Sequence, residues 1–433
     1  MLPSAPSSFA MRPPATPSMP PVSNDWHTNH PHPWRGTGQM ILLQNARCRS
    51  RNTAFVALFL LAGGCAGAES NGLRVERTDS AGVLVVTTFG PDASPPFRLE
   101  KILDLGGADS GPEAFVRVHP TSVGTDSDGL LYVLDAGTFS VTIFDRDGDV
   151  VRSFGRQGGG PGEFDFPTDL AVTPDGRVGV YDFGVRGLVR FNPDGSVLPS
   201  LEMPGTTRKF ALHGDRVIGA FRAAAASADS TQQRVLDFAP ADTITLFARN
   251  EPQARSINVG CMRIGLPPIY TQDIAWGANP QRTVIADPVT YTIRVFENGR
   301  HTAEWRRDVP TIETTPDFAA VEVGGDSMRF QAGPNRCAIS AREAVESIGY
   351  APFVPLIRDL LVAPDGRVFA ERRTLPGETR IDVFAADGVY LGTLPAGTPF
   401  PAAFRSSDEM ITVEQDSLEL RHINVYRLVP APS

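Results

Sequence analysis

The feature that most limits what this chain can fold into is an internal repeat with a register of 47 residues. Val123 aligns with Leu170, Asp128-Gly129 with Asp175-Gly176, Val133 with Val180, Asp135 with Asp182, Phe144 with Phe191, and Asp147-Gly148 with Asp194-Gly195. Upstream, Gly111-Pro112-Glu113-Ala114-Phe115 matches Gly160-Pro161-Gly162-Glu163-Phe164 after a two-residue slip. Each unit reads as an apolar run, Asp-Gly, an apolar run ending in an acid, a short gap, an apolar run ending in Phe, Asp-Gly, and a last apolar run. Asp-Gly between alternating apolar segments predicts a hairpin, both residues tolerating the positive φ of a type I′ turn. Two such turns with a third connection between them predict four antiparallel strands. A four-stranded repeat of this length is a propeller blade.

Weaker copies follow. Residues 209–250 keep strand-like runs (Arg216 to Phe221, Arg234 to Phe238, Thr243 to Phe247) without glycine turns. Residues 270–308 carry Thr283-Val284-Ile285-Ala286-Asp287, Thr292 to Phe296 and Asn298-Gly299, and residues 355–397 return to the full pattern with Asp365-Gly366 and Asp387-Gly388. Met410 to Glu414 and His422 to Leu428 supply strands but no complete blade, and the N-terminal runs at 73–77 and 83–88 are expected to join them and close the ring. The expectation is an all-β, six-bladed β-propeller of four-stranded antiparallel blades over residues 73–430. A helical insertion at 312–350 interrupts it, with helices over Pro316 to Phe330 and Ser340 to Ile348, the second opened by a capping box of Ser340 and Glu343. The 41 glycines and 38 prolines fit many turns better than long helices.

The run Gly158-Gly159-Gly160-Pro161-Gly162-Glu163-Phe164, with Pro167, Leu170, Pro174-Asp175-Gly176 and Tyr181-Asp182, resembles an NHL-type repeat of the six-bladed β-propeller superfamily. The wider layout is similar to a bacterial group of secreted or lipoprotein six-bladed propellers. That layout has a Phe97-Arg98-Leu99 lead-in, two strong blades, a late helical insertion and a final Asn424-Val425-Tyr426 strand. The resemblance implies the fold strongly and the function hardly at all. Six-bladed propellers include binding modules, and they also include lactonases, lyases and quinoprotein dehydrogenases with a metal or cofactor on the central axis.

The first 64 residues differ from the rest. Residues 1–39 hold nine prolines and three of the seven histidines with no periodic apolar pattern, a disordered or untranslated extension. Residues 40–64 read as a lipoprotein-type signal: Arg47, Arg49 and Arg51, an apolar run from Thr53 to Ala62 too short to span a bilayer, then Leu61-Ala62-Gly63-Gly64-Cys65. This end is similar to a lipobox, with Ala62 where leucine is usual, and implies lipidation of Cys65, a tether at 65–72 and a bacterial membrane anchor facing the periplasm or cell surface. Removing residues 1–64 takes out five arginines and one acid, leaving 35 basic and 48 acidic residues, a net charge of −13. Such a surface argues against nucleic acid as a partner and leaves the lipid as the only attraction to an anionic membrane. The expected molecule is a monomer with a protein or small-molecule partner at one propeller face.

Candidate chemistry is sparse. Four histidines remain beyond residue 64, His119, His213, His301 and His422, and none lies within metal-ligand spacing of another. His119, just before the Pro120 that opens the first strong blade, is the candidate for a channel-mouth residue, and Arg117, Arg156 and Arg186 in the connections of the two strong blades are candidates for an anionic ligand. Asp135, Asp182, Asp287, Glu371 and Glu414 each end the second apolar run of a unit. Equivalent blade positions lie at equal radius, so these acids either accept backbone hydrogen bonds in the following turn or ring a divalent metal. The turn reading is the one adopted, and no cofactor is expected. The glycines of 155–162 lack the Lys-Ser/Thr of a phosphate loop, and Asp145, Asp147 and Asp149 lack the glycine and glutamate spacing of a calcium loop. Cys261 and Cys337, exported as an isolated pair, predict a disulfide between the irregular segments flanking residues 270–308.

Overall fold

The computed structural model describes residues 72–107, 114–224, 230–252, 254–271, 274–332 and 335–432. The extension, the signal segment, Cys65 and nearly all of the tether lie outside them, as does Gly111-Pro112-Glu113.

Blade 1 is built from Val123–Thr125, Leu131–Asp135, Ser140–Phe144 and Val150–Phe154, and blade 2 from Pro167–Val172, Val178–Asp182, Gly187–Phe191 and Val197–Glu202. Within each, sequence neighbours pair antiparallel from the inner strand outwards. Their Asp-Gly corners are not type I′ turns. Only the glycines take positive φ (Gly129 80°, Gly148 94°, Gly176 81°, Gly195 84°), and each glycine N–H reaches back three residues, as Gly148 does to the Asp145 carbonyl at 3.3 Å. This is a type I turn closed by a left-handed glycine, and at Gly148 the register shifts where the strands resume. The two-residue turn with both φ positive occurs instead at Ala81-Gly82 and Asn298-Gly299.

Blade 3 comprises Phe210–His213, Arg216–Ala224, Ser230–Ala239 and Asp242–Pro252. Blade 4 comprises Trp276–Ala278, Thr283–Ala286, Thr292–Glu297 and Arg300–Arg307. Blade 5 comprises Ile357–Val362, Val368–Leu375, Glu378–Phe384 and Tyr390–Thr393. Blade 6 takes Ala403–Ser406, Glu409–Gln415 and Arg421–Pro430 from the C-terminus and Phe97–Gly106 from the N-terminus as its outer strand. The ring therefore closes through Phe97–Gly106, paired from Phe97 with Pro430 to Gly106 with His422, and not through the runs at 73–88. Those form a hairpin, Arg74–Ser80 and Val83–Phe89, that widens blade 4 to six strands by parallel pairing with Arg300–Arg307.

The core lies between blades, one apolar layer per interface. Blades 1 and 2 share Tyr132, Leu134, Ile143, Phe164, Val180 and Phe191, and blades 4 and 5 share Val284, Ile293, Trp305, Leu360, Val368 and Phe384. A fully buried side chain of this size stabilises by about 1.5–3 kcal/mol. Packing is close enough that a Cβ on Gly388 would collide with the Trp305 ring.

The insertion is only half helical. Helix α1 (Pro316–Glu322), capped by Thr315, stops where Gly324 and Gly325 take φ of 104° and 73°. Ser327–Ala332 then pairs with Asn335–Ser340 as a hairpin, so the stretch to Phe330 read as helix is in part strand. Helix α2 (Ala341–Ile348) starts at Ser340, whose Oγ accepts from Glu343 N at 3.2 Å, and buries Ala341, Ala344, Val345 and Ile348. A second hairpin, Arg255–Asn258 with Arg263–Leu266, leaves the ring between blades 3 and 4 and packs against the insertion through Ile257, Val259 and Ile269. Cys261 and Cys337 are joined across these two excursions, 5.7 Å apart at Cα.

Candidate functional site

Inner strands from all six blades surround a central channel that opens at both ends. On the face carrying the loops that lead into each blade, the mouth is a cavity of about 1080 Å³. On the opposite face, a mouth of about 560 Å³ is lined by the first turns of the blades, with Val172, Leu212, Ala278, Val362 and Phe404 among the walls. Pro120, Thr121, Lys209, Trp276 and Asp359 line both, so they form the waist. There Lys209 Nζ donates to the Trp276 carbonyl at 2.9 Å, the Leu360 carbonyl at 2.8 Å and Asp359 Oδ1 at 2.8 Å, tying blades 3, 4 and 5 across the channel. Gly277 lets those inner strands approach, because a Cβ there would meet the Leu360 carbonyl at 2.6 Å.

The larger mouth holds the chemistry. Its lining contains five cations, Arg117, Arg208, Lys209, Arg222 and Arg358, against two acids, Asp169 and Asp359. Lys209 pairs with Asp359, Arg222 approaches Glu251 at 3.7 Å and Arg358 approaches Glu371 at 3.4 Å. The Arg117 guanidinium donates to the Ala136 carbonyl at 2.8 Å and lies 5.7 Å from the Phe166 ring, with no carboxylate partner for its charge among the described residues. Desolvation, helped by the charges of Arg421 and Arg117, pulls the His119 pKa below its usual value, so the ring is neutral near pH 7.

Asp169 is the perturbed group of this mouth. Burial pushes its pKa up to about 6, against hydrogen bonds from Thr121 Oγ1 at 2.5 Å and Thr168 Oγ1 at 2.7 Å and the nearby Arg208 charge, all of which pull the other way. Beside it, the buried Tyr181 hydroxyl has no hydrogen-bond partner among the described residues, and burial and the Asp169 charge hold its pKa up. In the 47-residue register Thr121 and Thr168 are equivalent, whereas Asp169 stands opposite Ser122, whose Oγ donates to the Thr168 carbonyl at 3.2 Å. At this position the two blades differ by a carboxyl group. A titratable carboxyl beside an unpartnered hydroxyl in a cationic cavity can bind an anion, exchange a proton, or both.

Of the residues singled out from sequence, Arg117 and His119 line this mouth. Arg156 does not, pairing with Glu163 at 2.6 Å, and Arg186 sits exposed on the middle turn of blade 2 at φ 54°. The glycine run is likewise committed internally, Gly160 N donating to Glu163 at 2.8 Å. Asp145 Oδ1 accepts from Asp147 N and Asp149 N, both at 2.9 Å, within its hairpin.

Of the acids expected to end the second strands, Glu371 lies inside its strand, Val368–Leu375, which runs on past it, and the five fall into two groups by what they hold. Asp135 accepts from Val116, Arg117 and Gly137 N–H at 2.7, 2.9 and 2.8 Å, and Asp182 from Asp165, Phe166 and Gly184 N–H at 2.8, 3.0 and 2.8 Å. They therefore fasten the loop leading into the blade as well as the turn that follows. Asp287 accepts from Val289 and Thr290 N–H at 3.0 and 2.9 Å and pairs with Arg294. Glu371 faces Arg358, and Glu414 accepts from Thr412, Asn424 and Tyr426 side chains at 2.6, 2.8 and 3.0 Å. No group of three or more His, Cys, Asp or Glu positioned to hold a metal ion occurs among the described residues.

Sequence reasoning missed Asp169, Tyr181, Lys209 and Asp359. Two signals were present. Asp169 interrupts an inner strand where its repeat partner is a serine, and Lys209 is one of two lysines in a chain whose other 38 basic residues are arginine.

A family model, DUF5128, described as 6-bladed beta-propeller, matches residues 121–221, blades 1 and 2 and part of blade 3. The fold is a six-bladed β-propeller. Among solved structures the chain is similar to a protein described as exported from Bacteroides fragilis, at 14% identity and TM-score 0.48, covering 79% of this chain and 99% of that one. It is also similar to a DUF4221 family member from Bacteroides vulgatus (11%, 0.43, 78% and 100%) and to a streptogramin B lyase (10%, 0.34, 77% and 98%). No curated protein matches the sequence.

Proposed function

We propose that the protein is an exported binding module of the NHL-type propeller kind, monomeric, that holds an anionic ligand in the larger channel mouth. The observation that carries the reading is Arg117, a cation without a carboxylate partner among the described residues, on the rim of a cavity whose cations outnumber its acids, in a body that is otherwise acidic. An anion entering there gains a charge-assisted hydrogen bond in a partly desolvated site. Export is supported by the lipobox-like segment ending at Cys65 and by the Cys261–Cys337 disulfide, a bond that persists in oxidising compartments. Titrating the exported protein calorimetrically with di- and tricarboxylates and with inorganic phosphate tests the ligand. Binding should weaken with added salt and be lost in Arg117→Gln, and heatless titrations with every anion refute the reading. Cys65→Ser should move the protein to the soluble fraction and abolish lipid labelling; unchanged membrane association refutes the anchor.

One observation favours a second reading, an enzyme of the lyase or lactonase kind. Asp169, with its pKa near the working pH of a general base, and the Tyr181 hydroxyl stand together in the same mouth. Turnover of a lactone or ester that follows an apparent pKa near 6 and disappears in Asp169→Asn would replace the binding reading.

A further inference from the structure

The middle turns of blades 1 and 2 share a backbone, and this gives an internal control. In both, the residue before the third strand is left-handed, Phe139 at φ 56° and Arg186 at φ 54°, and an aspartate ties the turn to the loop before the blade. Blade 1 fills the turn with Ala136 and Thr138. Blade 2 places Phe183 and Val185 at the same positions, 50% and 52% exposed. The turn does not require these apolar side chains, since its twin does without them. Phe166, also 50% exposed, packs edge-on against Phe183 with ring centroids 6.2 Å apart. The pair stands on the rim of the cationic mouth, beside Arg117. Exposed aromatic and aliphatic side chains flanked by arginine are the composition of protein-binding hot spots, and a small free anion would leave this shelf unused.

We infer that the ligand of the mouth is an acidic segment of a protein partner, one carboxylate entering the cavity beside Arg117 and a neighbouring apolar side chain resting on Phe166, Phe183 and Val185. The inference rests on the proposed anion-binding mouth and names its ligand class. Charge selects the partner: Arg117 and Arg186 flank the shelf against one carboxylate, Asp165, which lies over Gly184 between Phe183 and Val185, and the cationic balance favours an acidic segment. An anionic membrane would meet the whole acidic body, of net charge −13, whereas a short segment meets only the arginines at the shelf, so the segment is favoured over a lipid surface.

The test is selection of a random dodecapeptide display library on the immobilised exported protein, followed by anisotropy titration of the most enriched peptide. Enriched sequences should pair an acid with an aromatic or branched apolar residue. Phe183→Ala with Val185→Thr, which installs the blade 1 residues, should weaken the peptide about tenfold while leaving calorimetric binding of a free dicarboxylate unchanged. Phe166→Ala provides a second variant on the same shelf, and an unchanged melting temperature shows that both are folded. Enrichment of basic or purely polar peptides, no enrichment, or equal affinity in the variants overturns the inference while the anion reading stands on its own titration. Co-sedimentation of the unlipidated protein with anionic phosphatidylglycerol vesicles, lost in the same variants, overturns it in favour of a membrane surface. Failure of the free anions as well brings down the underlying reading.

Discussion

Blades 1 and 2 and the arc from blade 3 to blade 5 solve the same packing problem in different ways. The two regular blades hold short strands with left-handed glycines at their hairpins and a buried aspartate that collects three backbone N–H groups. The arc also turns hairpins on left-handed glycines (Gly214, Gly299, Gly366 and Gly388), but among the described residues no aspartate there collects three backbone N–H groups, and material is added at its sides: a six-stranded blade 4, two outlying hairpins, two helices and a disulfide. It also contains a buried ionic cluster. Asp382, fully buried, accepts from Tyr291 at 2.7 Å, Thr393 at 2.6 Å, Arg372 at 2.8 Å and Arg307 at 3.2 Å, and both arginines reach on to Asp92. Because Asp92 follows the N-terminal hairpin, this cluster fastens that hairpin to blades 4 and 5. Where local sequence fixes a blade, backbone donors suffice; where it does not, long-range cross-links replace them.

If that contrast is right, the largest loss comes from the cross-link of greatest span. The disulfide closes a separation of 76 residues, for which the chain-entropy relation gives about 4–5 kcal/mol. Cys261→Ser with Cys337→Ser should lower unfolding stability by about that amount, with hydrogen-exchange protection falling first in 255–270 and 312–350. Equal loss across blades 1 and 2 would break the comparison. Next comes Asp382→Ala, which leaves Arg307 and Arg372 buried beside a single half-exposed partner, Asp92; a cost of about 3–5 kcal/mol by denaturant titration is expected.

The same contrast explains what the sequence disclosed. Blades 1, 2 and 5 were legible because in each an Asp-Gly precedes the second apolar run and another follows the third, and those two runs end in an acid and a Phe. The closing strand was not, since Phe97–Gly106 and the 74–89 hairpin are equally β-like locally and differ only in partners more than 200 residues away. The helix assigned through Phe330 failed at Gly324-Gly325, where two successive left-handed residues end it. At the site, Arg117 and His119 were legible as residues of a lead-in loop. Lys209 and Asp359 were not, because their meeting depends on ring closure bringing blades 3 and 5 to one axis.

A third test separates the mouth from the regular blades that frame it. Burial raises the Asp169 pKa to about 6 in the folded protein, above the ordinary value of 3.8, so the folded state holds its proton to higher pH than the unfolded chain. The resulting stability is complete below about pH 4 and is lost as pH rises to 6, a swing of about 3 kcal/mol. Asp169→Asn should therefore raise stability at pH 7.5 by up to that amount and change little at pH 4. Repeated at Asp182, whose carboxylate is held by backbone N–H groups, the asparagine change should destabilise at pH 7.5. A gain at both positions would erase the distinction between a site and a scaffold carboxylate.

The smallest effects are expected at the acids that end the second strands, and they bear on whether these residues act singly or together. Asp135 and Asp182 each accept N–H groups from their own blade's lead-in loop and following turn, and Asp287 from its own turn, so no ligand is shared among the three. Replacing one by alanine orphans two or three backbone donors, costing about 1–3 kcal/mol where they are buried. The loss should be greater at the fully buried Asp182 than at Asp287, where Arg294 keeps Glu304 as a neighbour at 3.8 Å. Because the donors belong to separate blades, paired substitutions should add within a few tenths of a kcal/mol, and chelator should leave the wild-type melting temperature unchanged. A metal bound jointly would give the opposite pattern: the first substitution would release the ion and the second would cost almost nothing. A large chelator-induced drop in melting temperature, absent from the single mutants, would join these carboxylates into one centre and move the enzyme reading ahead of the binding one.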